Sequence, residues 1–247
     1  MTKCLIIIPA YNEEKNIGNV LKEIGKLYPG LDVVVIDDGS SDNTGNIVLD
    51  EKKARLITLP FNLKYGSALQ TGFKYAVVNG YRYVIQFDAD GQHDPEDIKT
   101  ILEAMEKGSA DIIIGSRFLG HSAYKTGLPK KTAIILFRII IRISAGVKIT
   151  DPSSGLQGLT RRAFSYYALM GHYPTDYPDA DVLIQMILNG FKVYEFPANI
   201  RTRNFGKSMH AGLKPAFYLI KMLVSILVVL LRPKTTTWRD MNHEQYS

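Results

Sequence analysis

The stretch "VIQFDADGQHDPED" (residues 84–97) places two carboxylates directly after an apolar run. Side chains two positions apart on a strand point to the same face, so Asp88 and Asp90 can converge on one ion where the strand ends. Carboxylate oxygens suit hard cations such as Mg²⁺ or Mn²⁺. We therefore predict a divalent metal site at Asp88 and Asp90, with Gln92 assisting. We expect His93 to cap the turn or to face solvent.

A second pair of acids ends another apolar run, "LDVVVIDDGS". Asp37 and Asp38 can accept hydrogen bonds from the ribose or base of a nucleotide, although either can instead form an Asx turn that leads into the next helix. Tyr11 follows Pro9 at the end of the first apolar run, where it can stack on a base or serve as an ordinary half-buried aromatic. A nucleotide pocket and a set of structural turns therefore both remain open.

Alternating strand and helix patterns in the first half would bring these residues to one edge of a sheet. The predicted strands are "CLIIIPA", "LDVVVIDDGS", "ARLITLP", "YRYVIQFDAD" and "ADIIIGSRF". Helical spacing between them predicts an α/β fold with a mostly parallel sheet flanked by helices. Ligands bind beyond the carboxyl ends of such strands, where the acids and Arg117 lie. We expect Asp94, Glu96 and Asp97 to open the next helix.

The second half carries two apolar helical segments. "KKTAIILFRIIIRISAG" has Arg138 and Arg142 on one face, which fits a core helix with a solvated stripe or a basic helix at a membrane interface. "PAFYLIKMLVSILVVLLRPK" contains an apolar stretch, residues 216–231, of about 24 Å at about 1.5 Å per residue. A straight span needs roughly 20 residues. We predict a membrane-embedded or interfacial helix, with an oligomer interface as the alternative.

Composition narrows the function classes. A single cysteine, Cys4, excludes an internal disulfide and a multi-cysteine metal site, and its place in an apolar run predicts a buried, inert thiol. The net charge of +6 suits phosphate-bearing partners or an anionic membrane. We expect no nucleic acid partner, because no module with interleaved aromatic and basic residues occurs. The first apolar run is too short to predict a signal peptide.

Five segments in order resemble the family 2 inverting glycosyltransferases of GT-A fold, most of all the dolichyl-phosphate mannose synthase and polyprenyl-phosphate sugar synthase branch. They are "IIIPAYNEE", "VVIDDGSSDNT", "NLKYGSALQTGF", "IQFDADGQHDPED" and "IIGSRF". The resemblance covers the chain from about Lys3 to Met209, with "DPSSGLQGLTRRAF" in the second half. It implies a catalytic domain of GT-A fold in residues 1–212. A membrane-associated apolar helix and a polar tail would follow in residues 213–247.

The resemblance also implies roles for individual residues. The nucleotide-binding positions are Pro9, Tyr11, Glu13, Asp37, Asp38 and Asp88. The positions for a Mg²⁺ or Mn²⁺ that bridges the donor diphosphate are Asp88, Asp90 and Gln92. Arg203 and Lys207 would close over the donor phosphates. The catalytic positions are Asp90, Arg117 near the phosphates, and Asp181 beside the acceptor, with Asp179 as its near neighbour.

The implied reaction moves a sugar from a GDP- or UDP-sugar to a polyprenyl phosphate, catalysed by a peripheral or monotopic protein, a possible homo-oligomer, at the cytoplasmic face of the cell membrane. A phosphate acceptor needs no base, because its second pKa is about 6. One alternative acceptor is a sugar hydroxyl of a lipid-linked glycan, with Asp181 as base. The segment "PKKTAII" lacks the Arg and Ser pair by which the branch meets the acceptor phosphate, so both acceptors stay open. A non-catalytic nucleotide-binding scaffold is the alternative from another class.

Overall fold

The computed structural model describes residues 3–120, 128–201 and 214–232 of the 247-residue chain. The strands are β1 Cys4–Ala10, β2 Asp32–Asp37, β3 Arg55–Thr58, β4 Tyr83–Gln86, β5 Ile112–Ser116, β6 Gln157–Thr160 and β7 Val193–Pro197. The helices are α1 Ile17–Leu27, α2 Thr44–Glu51, α3 Tyr65–Val78, α4 Asp97–Glu106, α5 Leu128–Ala145, α6 Arg161–Ala168, α7 Ala180–Leu188 and α8 Lys214–Leu231.

All of these strands join one sheet in the order β3-β2-β1-β4-β6-β5-β7. The neighbours within β3-β2-β1-β4 and the pair β5-β7 are parallel, which confirms the predicted mostly parallel α/β sheet. The five strands predicted in the first half are β1 to β5. The sequence did not predict β6, which runs antiparallel to both neighbours and places Gln157 opposite Gln86 on β4 and Ile114 on β5. The second half of the chain thus enters the centre of the sheet.

Helices cover both faces of the sheet, which explains why its central strands are continuously apolar. Along β1, Leu5 and Ile7 face a core shared with α3, α5, α6, α7 and α8. Ile6 and Ile8 face a second core shared with α1 and α4. Because both faces are buried, polar side chains collect where the strands end, and the carboxyl ends of β1, β2, β4 and β5 meet at one edge.

Helices α5 and α8 pack side by side on the outside of the first core. Met222 and Ile226 of α8 are both 3% exposed, while other apolar side chains of the same helix face outward. On α5, the two predicted arginines differ, since Arg142 is exposed but Arg138 donates its Nε–H to the Thr150 carbonyl at 2.6 Å. The two arginines are therefore unequally exposed, and the choice between a core helix with a solvated stripe and a helix at a membrane interface stays open. Among the helices described, none combines the length and apolar character that crossing a membrane requires.

Candidate active site

The acids that follow β4 lie in a turn at the carboxyl edge of the sheet. The strand ends at Gln86, and Asp88 and Asp90 are both half-buried beyond it. Gly91 adopts φ +72°, a left-handed conformation that glycine accepts without strain, and the chain turns back there. Asp90 Oδ1 accepts the backbone N–H of Gln92 at 3.0 Å. The predicted metal positions therefore lie within one short turn.

Neighbouring side chains hold each carboxylate oxygen of Asp88. Tyr65 donates its hydroxyl to Oδ1 at 2.8 Å, and His93 Nε2 lies 3.1 Å from Oδ2. Gln86 Nε2 in turn donates to the Tyr65 hydroxyl at 2.9 Å. A Cβ on Gly155 would lie 2.0 Å from Asp88 Oδ2, so only glycine leaves room for this carboxylate. Although burial raises the pKa of Asp88, the donors from His93 and Tyr65 bring it below its ordinary value.

The expectation that His93 caps the turn or faces solvent was wrong. His93 is 5% exposed, and its ring packs edge-on against Phe87 at 5.7 Å between centroids. Its Nε2 meets Asp88, while its Nδ1 is buried without a hydrogen-bond partner among the described residues. The imidazole therefore helps to fix the orientation of Asp88. Its placement after the acids carried no signal that could separate this role from a surface turn.

Arg117 follows β5 and is fixed by an acid that the sequence analysis did not assign. Its guanidinium donates to both oxygens of Asp151 at 2.7 Å each, and to the carbonyl and hydroxyl oxygens of Ser153 at 2.9 and 2.8 Å. Asp151 is fully buried, and its backbone N–H donates to Glu195 on β7. The charge of Arg117 contributes to the lowered pKa of Asp88, so the guanidinium stands close to the acids after β4.

The loops after β1 and β2 are joined to each other beside the acidic turn. Asn12 Oδ1 accepts the N–H of Ser41 at 2.8 Å, and the N–H of Glu13 donates to Thr44 Oγ1 at 2.9 Å. Tyr11 is 47% exposed at this edge, whereas Pro9 is buried within β1. A planar ligand can therefore reach Tyr11 from solvent. Pro9 has no surface open to such a ligand, and it can act only by setting the course of the backbone that leads to Tyr11.

The two acids that end β2 both hold backbone groups. Asp37 accepts the N–H of Ser40, three positions on, at 3.0 Å, whereas an Asx turn joins residues two positions apart. Asp38 accepts the N–H groups of Leu63 and Lys64 at 2.7 and 2.9 Å, and it thereby fixes the loop that enters α3. Burial raises the pKa of Asp38, although these donors oppose the shift. Of the two open interpretations, the structural turns are visible, and the nucleotide-binding role of these acids stays a prediction.

The acids at the start of α7 differ in where they point. Asp181 is 3% exposed, accepts the N–H of Val182 at 2.8 Å, and contacts the hydroxyl of Ser225 on α8. Asp179 is half-buried and contacts the hydroxyl of Tyr218. Burial raises the pKa of Asp179 to about 6, with further contributions from the charges of Asp181 and, in the opposite direction, of Arg117. The charge of Arg117 therefore acts on Asp179, and the catalytic role of Asp181 stays a prediction.

The described residues thus bring Asp88, Asp90, Gln92, Arg117 and Asp179 to one region. Residues 3–120, 128–201 and 214–232 contain no group of three or more His, Cys, Asp or Glu side chains arranged to hold a metal by themselves. Arg203 and Lys207, the predicted donor-phosphate residues, lie outside the described residues. Their role stays a prediction.

Comparison with known proteins gives one family and a set of similar enzymes. The model for the family described as "Glycosyl transferase family 2" matches residues 5–167. Over 221 residues the chain is 29% identical to polyprenol monophosphomannose synthase of Mycolicibacterium smegmatis, an alignment that covers 85% of this chain and 82% of that protein. It is 33% identical to UDP-N-acetylglucosamine–dolichyl-phosphate N-acetylglucosaminyltransferase of Methanococcus voltae, covering 64% of this chain and 69% of that protein.

A solved structure of similar fold is glucosyl-3-phosphoglycerate synthase from Mycobacterium tuberculosis in complex with Mn²⁺, UDP-glucose and phosphoglyceric acid. It superposes with a TM-score of 0.70 at 18% identity, covering 95% of this chain and 81% of that one. Together with the order of the strands, this likeness confirms the predicted GT-A fold.

Proposed function

The chain belongs to glycosyltransferase family 2 and is a glycosyltransferase, and on this premise we propose that it transfers a sugar from a nucleoside diphosphate donor to a polyprenyl phosphate at a membrane surface. The observation that carries the proposal is the placement of Asp88 and Asp90 in one turn at the carboxyl edge of the sheet, with the charge of Arg117 beside them. A diphosphate leaving group needs positive charge at this place.

A divalent ion, Mg²⁺ or Mn²⁺, fits the side chains of this turn. Mg²⁺ takes one or two protein carboxylates and completes its coordination with waters and substrate phosphates. Asp88, Asp90 and Gln92 offer such an oxygen set, and they are half-buried rather than sealed. When bound, the ion would offset the negative charge that develops on the departing diphosphate. The fold neighbour described above holds Mn²⁺ together with a nucleotide sugar, which agrees with this assignment.

The reaction is an inverting displacement at the anomeric carbon of the sugar. A bond forms from the acceptor oxygen to this carbon while the bond from the carbon to the diphosphate oxygen breaks, and the nucleoside diphosphate leaves with the electron pair. We assign Arg117 to electrostatic stabilisation of the phosphates, since Asp151 fixes its guanidinium before substrate arrives. Tyr11, Glu13, Asp37 and Asp38 form the nucleotide side of the site in this proposal, with Pro9 behind them, and Arg203 and Lys207 close over the donor.

The acceptor of the proposed reaction is a phosphate, as the name of the Methanococcus voltae enzyme states for its own acceptor. A phosphate monoester with a second pKa near about 6 is already a nucleophile at neutral pH. No carboxylate is then needed as a base. We assign Asp179 instead to hydrogen bonds from hydroxyl groups of the transferred sugar, because ionised carboxylates accept from hydroxyl donors.

The second candidate is transfer to a sugar hydroxyl of a lipid-linked glycan, which one observation favours. The pKa of Asp179 lies at about 6, chiefly because of burial, and a general base works best near the working pH. Asp179 would then take the hydroxyl proton, a role that the sequence pattern assigned to Asp181. Asp181 suits it less, because its carboxyl is 3% exposed and contacts Ser225.

We further propose that α8 and the polar tail in residues 213–247 associate with the cytoplasmic face of the membrane, where the donor and a lipid acceptor meet. The outward face of α8 exposes apolar side chains: Ile220 61%, Val224 55%, Leu227 55% and Leu231 73%. Ile139 and Ile143 of α5 extend this apolar surface at 50% and 80% exposed, with Arg142 beside them. An apolar face with an adjacent cation suits a peripheral protein on an anionic bilayer.

A donor and acceptor screen tests the reaction. Purified protein is incubated with UDP-glucose, UDP-N-acetylglucosamine or GDP-mannose, a short polyprenyl phosphate in anionic vesicles, and Mg²⁺ or Mn²⁺. We expect a glycolipid from one donor, and we expect chelation of the ion to abolish it. Use of a hydroxyl acceptor alone would contradict the leading proposal, and tight nucleotide binding without turnover of any donor would contradict both.

Asp179→Asn and Asp181→Asn separate the two acceptors. With a phosphate acceptor, Asp179→Asn lowers the rate less than about tenfold, because the amide oxygen still accepts a hydrogen bond. With a hydroxyl acceptor, loss of the base lowers kcat by about 10²–10⁴-fold. Asp181→Asn leaves the choice of acceptor unchanged in both cases if Asp179 is the acid at the site.

Vesicle flotation tests membrane association. Val224→Glu with Leu227→Glu places charges on the exposed face of α8 and keeps Met222 and Ile226 in the core. We expect this variant to lose binding to vesicles of phosphatidylglycerol, as would a chain that ends at Gly212. If the variant and the shortened chain both stay bound, the exposed face of α5 is the anchor instead.

A further inference from the structure

Helix α8 has an apolar outer face, an apolar inner face and a polar edge between them. The polar edge consists of Tyr218, Lys221 and Ser225, which are three and four positions apart and so lie along one stripe of the helix. Each contacts a different acid of the segment that enters α7. Tyr218 contacts Asp179, Lys221 contacts Asp176, and Ser225 contacts Asp181.

These three contacts lie in different surroundings. Lys221 is 60% exposed in its pair with Asp176, so water screens that contact. Asp181, which contacts Ser225, is buried in the first turn of α7 and is 3% exposed. The charges of Arg117 and Asp151, the pair fixed beside the acidic turn, both act on Asp179. The segment that carries Asp179 also lies beside the start of α3, where the N–H of Ser67 donates to the Thr175 carbonyl at 3.2 Å and Tyr65 donates to Asp88. Of the three acids, it is therefore Asp179 through which the edge of α8 meets the candidate site.

Aromatic rings fix the position of the Tyr218 hydroxyl. The Tyr218 ring packs edge-on against Phe137 of α5, with centroids 6.0 Å apart, and against Tyr177, with centroids 5.0 Å apart. Edge-to-face packing of this kind restricts the ring, because the ring quadrupoles favour one arrangement. Burial and the charge of Asp179 raise the pKa of Tyr218, so its hydroxyl stays protonated and donates. The Tyr218 hydroxyl is thus a fixed, neutral donor to the Asp179 carboxylate, whose orientation matters for the proposed site.

We propose that Tyr218 is a positioning residue: it orients the Asp179 carboxylate toward the transferred sugar, so that the seating of α8 on the core governs how well the sugar of the donor is bound. This inference rests on the proposed function of Asp179. It goes beyond that function by linking the helix that carries the exposed apolar surface to the sugar end of the site. A helix that only covered the core would leave the sugar contacts unaffected.

Calorimetric titration tests this inference with paired ligands that differ only by the sugar. Wild type, Tyr218→Phe and Ser225→Ala are titrated with UDP-glucose and UDP, and with GDP-mannose and GDP, in the presence of Mg²⁺. Ser225→Ala is the matched control, since it also removes one hydroxyl from the polar edge but faces Asp181. We expect Tyr218→Phe to weaken binding of the nucleotide sugar by about 2- to 10-fold, the size of one typical hydrogen bond. Binding of the nucleoside diphosphate alone should not change.

The double variant Tyr218→Phe with Asp179→Asn shows whether Tyr218 acts through Asp179. If it does, the double variant binds the nucleotide sugar no more weakly than Asp179→Asn alone, because the two residues form one unit. Additive losses, equal weakening of nucleotide sugar and nucleoside diphosphate, or an equal effect of Ser225→Ala would each overturn the inference. A binding pattern as expected, without transfer to any acceptor, would contradict the proposed function and leave this inference standing.

Discussion

The candidate site draws on two halves of the sheet that hold their functional side chains in different ways. In the half formed by β1 to β4, acids accept hydrogen bonds from backbone groups of nearby loops, as Asp37 does from Ser40 and Asp90 from Gln92. In the half formed by β5 to β7, side chains far apart in sequence hold one another, as Asp151 holds Arg117 across 34 positions.

This difference has a physical consequence. A carboxylate that accepts a local backbone N–H is set by its own turn, so its substitution can remove chemistry without loosening the fold. A buried charge that relies on one distant partner becomes costly to the fold when that partner is removed. We therefore expect substitution of Asp90, which its own turn holds, to lower activity, and substitution of Asp151, the buried partner of Arg117, to lower stability.

Asp90→Asn should give the largest effect. In the proposed reaction, loss of this carboxylate weakens stabilisation of the departing diphosphate, and we expect kcat/KM to fall by about 10²–10³-fold. Steady-state kinetics with the donor identified in the screen measures the change. Asp94→Asn is the control, because Asp94 pairs with Arg201 and accepts the N–H of Glu96 at the start of α4. If Asp90→Asn also unfolds at a clearly lower temperature than wild type, the loss of activity comes from a loosened fold, and the comparison of the two halves fails.

Asp151→Asn should lower the free energy of unfolding by about 3 kcal/mol, because it leaves the guanidinium of Arg117 uncompensated where the side chain is 12% exposed. Urea unfolding measures this loss. Asp111→Asn is the control, since its partner Arg162 is 38% exposed and such a pair contributes about 1 kcal/mol or less. Equal losses in the two variants would contradict the claim that burial decides the effect.

Tyr65→Phe should lower kcat/KM by about tenfold, as expected if Asp88 is the proposed metal ligand and Tyr65 orients it. It removes the hydroxyl that meets Asp88 Oδ1 and leaves the ring in place. The matched control is Tyr83→Phe, whose hydroxyl donates to the Met105 carbonyl away from the acids. If both variants lose activity equally, the effect belongs to packing rather than to the orientation of Asp88.

Burial raises the pKa of Asp179 to about 6, and this shift predicts a smaller effect, a change of folding stability with pH. Because the folded pKa lies above the ordinary value of about 3.9, the folded state binds the proton more tightly. Its contribution to stability is full below about pH 4 and is lost as the pH rises through about 6. Asp179→Asn should therefore gain about 1 kcal/mol relative to wild type over this range, after screening by solvent. A difference in unfolding free energy between the variant and wild type that stays constant from about pH 4 to about pH 6 would contradict this prediction.

The part of the site that could be predicted from the sequence also differs between these two halves of the sheet. The apolar runs and the acids after β2 and β4 were predictable, because a strand pattern and its terminal turn lie within one short window. Arg117 was placed at the correct edge, but its partner Asp151 was not assigned. At the start of α7 the family resemblance favoured Asp181, whereas the charge of Arg117 acts on Asp179. Asp179 precedes α7 and Asp181 lies buried in its first turn, two positions later. A single sequence does not fix which of the two side chains faces the proposed site.

By itself the sequence determined the α/β class, a mostly parallel sheet and the carboxylates at the ends of its strands, because apolar periodicity and turn chemistry are local. The tertiary structure alone decided that β6 enters antiparallel between β4 and β5, which brings Gly155 against Asp88. It also decided that His93 turns inward and that Tyr218 meets Asp179. These contacts join segments far apart in the chain, and their geometry depends on how the helices pack against the sheet.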